Sequence, residues 1–434
     1  MKTNFTKAAD TILEYEWIVL LLIAIPMLFP KPEWTPVMLV IPGLWILRWM
    51  REGQPLPSTP LNLPILLLSI MLLVSLWATY SIEFSLPKIG GLIFAIGVFF
   101  ATVRYSLINL SQVLIFFFAC GLAVSGLGLL ASNWPSKIPF LSDLIDRLPK
   151  VITRIPAAEN GIHPNELGGI LLLFALPCIW LAWRSTKRCS YDKISFTLWI
   201  IATWLGGLLF LTQSRSALLG FAGGIAFFLF VSGRLGKITL VLGFVAISIF
   251  ILVMGPDELL YFPGLDTSGS ATFGQVTISN RLEIWSRAVY ALKDFAITGM
   301  GIGTFRVIGP LLYPFFYIEP TRDIAHAHNL FFQSGLDFGI LGIISITSIW
   351  IAISQILIRP VVSGEGKLFL GRMSAHDVVI GLVGGLLGHF MFSLVDAVAL
   401  GARPGFLLWM ALGLCITLYI VLQRKQRIPN PIQL

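Results

Sequence analysis

From about residue 16 to about residue 422 the chain alternates long apolar runs with short charged loops, and no other feature constrains the fold as much. A run of about 20 apolar residues is long enough to cross a bilayer, where it must satisfy its backbone groups internally and therefore forms a helix. Charge is correspondingly scarce. Only 12% of the 434 residues are charged, against roughly 25% in soluble domains. The chain thus reads as an all-α integral membrane protein, with about 12 transmembrane helices and a large, partly helical external loop. The candidate spans cover approximately 16–30, 34–50, 62–80, 86–103, 108–131, 164–183, 194–213, 216–233, 237–254, 329–358, 376–397 and 404–422. Pro26, Pro36 and Pro42 interrupt the first two, which are expected to be kinked.

The basic residues predict the orientation. Of 30 lysines and arginines, 17 fall in loops on one side, among them Arg48, Arg51, Arg104, Arg184, Arg188, Arg234 and Lys237. The short segments of the other side hold Lys31, Lys88, Arg215 and Arg403. Basic residues in short loops mark the cytoplasmic face, so both termini are expected inside and the chain in a bacterial plasma (inner) membrane as a multi-pass protein. Residues 1–434 read as a single polytopic domain with two external elaborations, a proline-rich loop at 132–163 and a larger one at 255–328. The first apolar run lacks a small-residue cleavage site and is expected to be retained. Cys120, Cys178, Cys189 and Cys415 have no paired spacing, so neither a disulfide framework nor a zinc site is implied. The net charge of +8 is spread over loops, not gathered in a patch, which excludes nucleic acid as a partner and leaves membrane lipids.

The polar residues that chemistry needs fall on the external side. Arg215 lies in a hinge, Thr212-Gln213-Ser214-Arg215-Ser216, short enough to make its two helices antiparallel neighbours. It is either a snorkelling anchor or an anion clamp, since a guanidinium grips phosphate with two prongs and stays charged. In the large loop Asn280 is the expected N-cap of an amphipathic helix, with Glu283 completing a capping box. Leu282, Trp285, Val289 and Leu292 form its apolar stripe, and Arg281, Arg287 and Lys293 lie off it. Arg281 in a first turn opposes the helix dipole unless an anion binds there. Arg287, Arg306 and Arg322 keep this loop cationic.

His326-Ala327-His328-Asn329 opens the span that follows. A His-x-His pair can ligate metal, but the loop offers it no cysteine or further histidine, so no metal and no cofactor is expected. The alternatives for His328 are an interfacial structural histidine and a general base or acceptor-orienting group. Asp337 lies about 13 Å down the helix, an intramembrane carboxylate expected to need a partner such as an arginine. Gly339 and Gly342 would let another helix approach. His389 and Asp396 lie in the next span, with Asp396 and Arg403 at its outer end; they either complete a polar pocket or pair with each other. His163-Pro164-Asn165-Glu166 reads as an ordinary helix start.

These segments together resemble the O-antigen ligase and polymerase superfamily. Ser214-Arg215-Ser216-Ala217-Leu218-Leu219-Gly220 is similar to its short-loop arginine motif, and Asn280-Arg281-Leu282-Glu283-Ile284-Trp285 to the start of its large-loop helix. Gly299-Met300-Gly301-Ile302-Gly303 resembles the glycine turn that follows, and His328-Asn329 with Gly339 and Gly342 the loop-to-helix motif. His163-Pro164-Asn165-Glu166-Leu167 also looks like a recurrent family segment. The likeness runs from about residue 160 to 345. It implies a metal-independent glycosyltransferase that takes glycan from an undecaprenyl-diphosphate donor on the periplasmic face. The acceptor would be lipid A-core, another lipid-linked glycan repeat or a protein. By motif match, Arg215 and Arg281 would bind the donor diphosphate and His328 would activate or orient the acceptor hydroxyl. His326, Asn329, Asp337, Arg287 and Arg322 would support them. Relatives labelled as bicarbonate transporters supply the alternative, an anion carrier, which would want a path with broken helices at mid-depth and internal repeats.

Overall fold

The computed structural model describes residues 2–28, 32–135, 137–138, 141–148, 161–189, 192–254, 273–319, 323–363, 369–370 and 373–427. In chain order the helices are α1 (Lys2–Glu14), α2 (Glu16–Leu28), α3 (Val40–Glu52), α4 (Asn62–Ala78), α5 (Ile82–Ala131), α6 (Ser142–Asp146), α7 (Pro164–Cys189) and α8 (Lys193–Leu211). They continue with α9 (Arg215–Val231), α10 (Arg234–Met254), α11 (Phe273–Asp294), α12 (Phe305–Leu312), α13 (Leu330–Ser363), α14 (Ala375–Val395) and α15 (Phe406–Arg427). A 3-10 segment, Pro32–Leu39, precedes α3, and a two-stranded hairpin, Phe369–Leu370 with Met373–Ser374, precedes α14.

Every stretch expected to span the membrane holds helix. Among the described residues six helical stretches are long and apolar enough to cross a bilayer, Ile82–Ala131, Pro164–Arg188, Lys193–Leu211, Leu330–Ile358, Ala375–Val395 and Phe406–Gln423. Asn62–Ala78 and Arg215–Val231 are shorter apolar helices. The 50-residue α5 is two helices joined at Asn109, whose φ of −145° and ψ of 84° are not helical. The Asn109 side chain accepts the Gln112 N–H at 3.1 Å and so caps the second half. Of the two proline-interrupted stretches near the start, α2 and α3 each run 13 residues, with Pro26 inside α2 and Pro36 inside the 3-10 turn.

Close helix contact positions the site. α9 and α14 cross where Gly220 and Gly224 face Gly388 and Gly384: a Cβ on Gly220 would overlap the Gly388 carbonyl, and one on Gly388 would lie 2.9 Å from the Gly220 carbonyl. Two glycines four apart on each helix let the backbones touch, the usual route to tight packing in lipid. α7 joins the pair, with Gly168 against Ala217 and Gly169 against Phe392. The start of α7, the start of α9 and the end of α14 therefore meet at one end of the bundle. α9 packs chiefly on α14 and α7, and α8 on α7. The hinge before Arg215 thus sends its two helices onto a shared third one, where the sequence suggested that they pack on each other.

The large loop carries its own small core, Ile284, Ala288, Ala291, Met300, Phe305, Ile318, Ile324, Ala327 and Leu336. It is fastened to the bundle by the turn Gly299–Gly303. There the Ile302 N–H donates to Ser75 Oγ at 2.7 Å, Ser85 Oγ donates to the Ile302 carbonyl at 2.7 Å, and the Gly303 N–H donates to Asp337 Oδ1 at 2.9 Å. Gly301 has φ +95°, and a Cβ there would strike the Thr79 backbone; only glycine fits. On the other side, α13 breaks at Gly339 (φ 69°, ψ −165°) to receive the strap Ala296–Ile297, and the Ile340 N–H donates to the Ala296 carbonyl at 2.7 Å. The expected close approach at Gly339 is therefore to a loop, not to a helix. Gly342 lies against Phe338 and Ser334 of its own helix.

Candidate functional site

Asp396, which caps the C-terminus of α14, is the hub of a polar cluster at one end of the bundle. It is 1% exposed. Its Oδ1 accepts from His328 Nδ1 at 2.9 Å and from the Ala397 N–H at 3.0 Å. Its Oδ2 accepts from Asn165 Nδ2 at 2.9 Å and from Arg281 Nη2 at 3.4 Å. Burial alone would push this carboxyl up, but the His328 bond and the neighbouring charge, Arg281 included, hold it below the usual carboxylate range. Since an ionised carboxylate only accepts, His328 Nδ1 carries the proton of this bond, and in the neutral imidazole the lone pair falls on Nε2.

His328 has φ +50°, rare for a residue with a Cβ. The surroundings enforce it. Its N–H donates to His326 Nδ1 at 3.1 Å. The Ala327 N–H donates to Gln333 Oε1 at 2.8 Å, and the Ala327 carbonyl accepts from Trp285 Nε1 at 2.9 Å. Asn329 caps α13 by accepting the Phe331 and Phe332 N–H groups, and its Nδ2 donates to the Leu394 carbonyl at 2.8 Å. That bond ties the start of α13 to the end of α14 and sets His328 beside Asp396. Strain held by so many contacts is typical of functional positions. Burial, with repulsion from His328, pushes His326 down to about 3 against the opposing pull of Asp396, so it is neutral at physiological pH.

The cations come from three segments. Arg215 is the first residue of α9, whose N-cap Ser214 accepts the Ala217 N–H at 3.3 Å. Arg281 Nη2 donates to Ser216 Oγ at 3.1 Å as well as reaching Asp396. Lys137, from the proline-rich loop after α5, lies within charge–charge reach of Arg215, Arg281 and Asp396. Arg215, Arg281 and His328, distant in sequence, are therefore linked in one cluster: Arg215 is in charge–charge reach of Arg281 and Lys137, and Arg281 and His328 both bond Asp396. Cations beside a helix N-terminus favour an anion.

Several expectations for the large loop are corrected. Asn280 and Arg281 lie inside α11, so neither the N-cap nor the capping box forms. The helix terminus expected at Arg281 is instead at Arg215. Leu282 is 58% exposed and Val289 39%; the buried stripe is Ile284, Ala288 and Ala291, flanked by Trp285 and Leu292. Arg281 lies three residues before Ile284 and seven before Ala288, and so belongs to the inward face it was expected to leave. The buried face differs in phase from the leucine stripe because alanine adds little to an apolar pattern, yet it is alanine that permits close contact. Glu283 is buried and accepts the Phe316, Tyr317 and Ile318 N–H groups. Arg287 donates to the Pro314 carbonyl at 2.8 Å and covers the Phe316 ring. Asp337 has the Gly303 N–H and the Gln333 side chain as partners among the described residues, in place of an arginine. His389 pairs with the Gly169 carbonyl at 2.8 Å, away from the cluster. Arg322 lies outside the described residues.

His326, His328 and Asp396 bring ligand-type atoms within 4.8 Å of one another. The loop alone could not supply this third group; α14 does. Against a divalent ion stand the His328–Asp396 hydrogen bond and the adjacent Arg281 and Lys137 charges. Asn165 and Ser216 lie inside motif-like segments whose pattern assigns them no role, and nothing in its local sequence marks Lys137. Asp396 was visible as an outer-end carboxylate, but its partner could not be chosen.

Residues 196–347 match the family model described as O-antigen ligase. This segment contains Arg215, Arg281, His326 and His328; Lys137, Asn165 and Asp396 lie outside it. No curated protein matches the chain.

Proposed function

We propose that this chain, whose residues 196–347 match the family model described as O-antigen ligase, moves glycan from an undecaprenyl-diphosphate donor to an acceptor hydroxyl on the external face, without a metal. The observation that carries this reading is the two-sided Asp396, with His328 on one oxygen and Arg281 on the other. One buried carboxylate thereby couples a base to a cationic pocket.

Arg215 and Arg281 hold the donor diphosphate. His328 Nε2 takes the proton of the acceptor hydroxyl as its oxygen attacks the anomeric carbon. The bond from that carbon to the diphosphate oxygen breaks, and the leaving undecaprenyl diphosphate takes the electron pair. Its growing charge is met by guanidiniums already in place, the electrostatic contribution expected to dominate. Asp396 keeps Nδ1 protonated and stabilises the imidazolium that forms. Lipid A-core, a second lipid-linked glycan and a protein remain the acceptor classes. The cations gather where helix ends meet, which favours surface chemistry over an anion path through the bundle. The test is glycan transfer by membranes holding the full chain, supplied with a lipid-diphosphate glycan, with and without lipid A-core. Transfer that needs both arginines and His328 supports the reading. Flux of bicarbonate into proteoliposomes without transfer overturns it.

A further inference from the structure

We propose that Lys137 is a third ligand of the donor diphosphate, delivered from the first external loop by a clamp on Gln213; this deepens the reading above and rests on it. Lys137 lies in the proline-rich loop, far from the arginines in sequence and outside the segment that matches the family. Gln213 joins that loop to the Arg215 hinge through three bonds. Its Oε1 accepts the Lys137 N–H at 2.8 Å, its Nε2 donates to the Pro135 carbonyl at 2.6 Å, and its carbonyl accepts from Lys137 Nζ at 3.3 Å. Gln213 is 4% exposed and has φ +48°, a costly conformation for a residue with a Cβ. The clamp ties the lysine to Gln213, two residues before Arg215 on the hinge.

The chemistry favours an anion over a purely structural lysine. An ammonium has three N–H donors, and the Gln213 carbonyl uses one. The lysine sits among like charges, Arg215 and Arg281, with Asp396 as the opposing one. Burial first, and Arg215 next, lower its affinity for the proton, the condition that a bound anion would relieve. A leaving diphosphate carries more charge than two guanidiniums neutralise while one of them is shared with Asp396. A compact point charge complements the planar forks.

The experiment measures binding of undecaprenyl diphosphate to the purified full chain in nanodiscs. Lys137→Met should weaken it about tenfold or more, the scale of one lost charged hydrogen bond, and should flatten its salt dependence. Lys137→Arg should restore most of the affinity. Acceptor KM should stay near its starting value in both, which a merely structural lysine would not predict. Amine acetylation of the unmodified chain gives a readout that needs no variant: undecaprenyl diphosphate should protect Lys137. If Arg215→Ala and Arg281→Ala lose binding while Lys137→Met keeps it and Lys137 stays reactive under saturating ligand, the lysine is no ligand. If none of the three substitutions weakens binding, the diphosphate site itself is wrong.

Discussion

The two ends of the bundle handle arginine in opposite ways. At the end expected to face the cytoplasm, buried carboxylates take arginines in pairs. Glu16 bonds Arg48 at 3.0 Å and also Arg104, while Asp377 bonds Arg184 and Arg188, each at 2.8 Å. These bonds link α2 to α3 and α5, and α7 to the start of α14, so the charge is spent on holding helices together. At the other end Asp396 bonds both Arg281 and a histidine, with Lys137 in charge–charge reach. At the first end the carboxylates bond arginines alone, whereas Asp396 bonds an arginine with one oxygen and an imidazole with the other. The mere presence of intramembrane arginine does not separate the two cases; the histidine on the same carboxylate does.

The comparison is sharpest at His328. His328→Ala should cut transfer by about 10² to 10⁴-fold while undecaprenyl diphosphate binding stays near its starting value; full transfer by this variant would break the base assignment. Asp396→Asn comes next, with a loss of about 10²-fold or more, because an amide no longer holds Nδ1 protonated or stabilises the imidazolium. Its pH–rate profile should move as well, which a simple packing defect would not do. Arg215→Lys should weaken donor binding about tenfold or more, since the charge survives but the planar fork does not.

At the paired end, Asp377→Asn should leave transfer intact and cost roughly 1 kcal/mol or less of stability, because both arginines are about a third exposed and can turn to water. A collapse of transfer there would erase the distinction between the ends. Acid tests the site end for stability. His326 titrates at about 3 in the fold and near 6.5 in an unfolded chain. The unfolded state therefore binds the proton first. The contribution of this residue is complete above about pH 6.5 and is lost as pH falls toward 3. Melting temperatures should fall across that window, and less steeply in His326→Gln; identical slopes would contradict the assignment. The smallest expected effect is that of a chelator, none at all. Loss of transfer on chelation, restored by a divalent ion, would turn His326, His328 and Asp396 into a metal site and reverse the reading of the external end.

Much of this was legible before any coordinates. Long apolar runs can only be helices in lipid, so the positions of α4, α7, α8, α13, α14 and α15 followed from hydropathy. The motif residues Arg215, Arg281 and His328 were also legible, because fixed charge and an imidazole are rare beside such runs. What failed was anything that depended on phase or partner. The helix around Arg281 begins earlier than its Asn-x-x-Glu pattern suggests, and its buried face runs through alanines. Asp337 found a backbone N–H and a glutamine, and Gly339 received a strap instead of a helix. By itself the sequence determined that this is a helical membrane protein with a basic, histidine-bearing polar region, since hydrophobicity and charge act residue by residue. Only the tertiary structure decided that Asp396 is the residue joining His328 to Arg281, and that Lys137 comes to the same place. Those neighbours are set by glycine crossings and loop clamps between segments far apart in the chain, and no local pattern records which distant segment will be there.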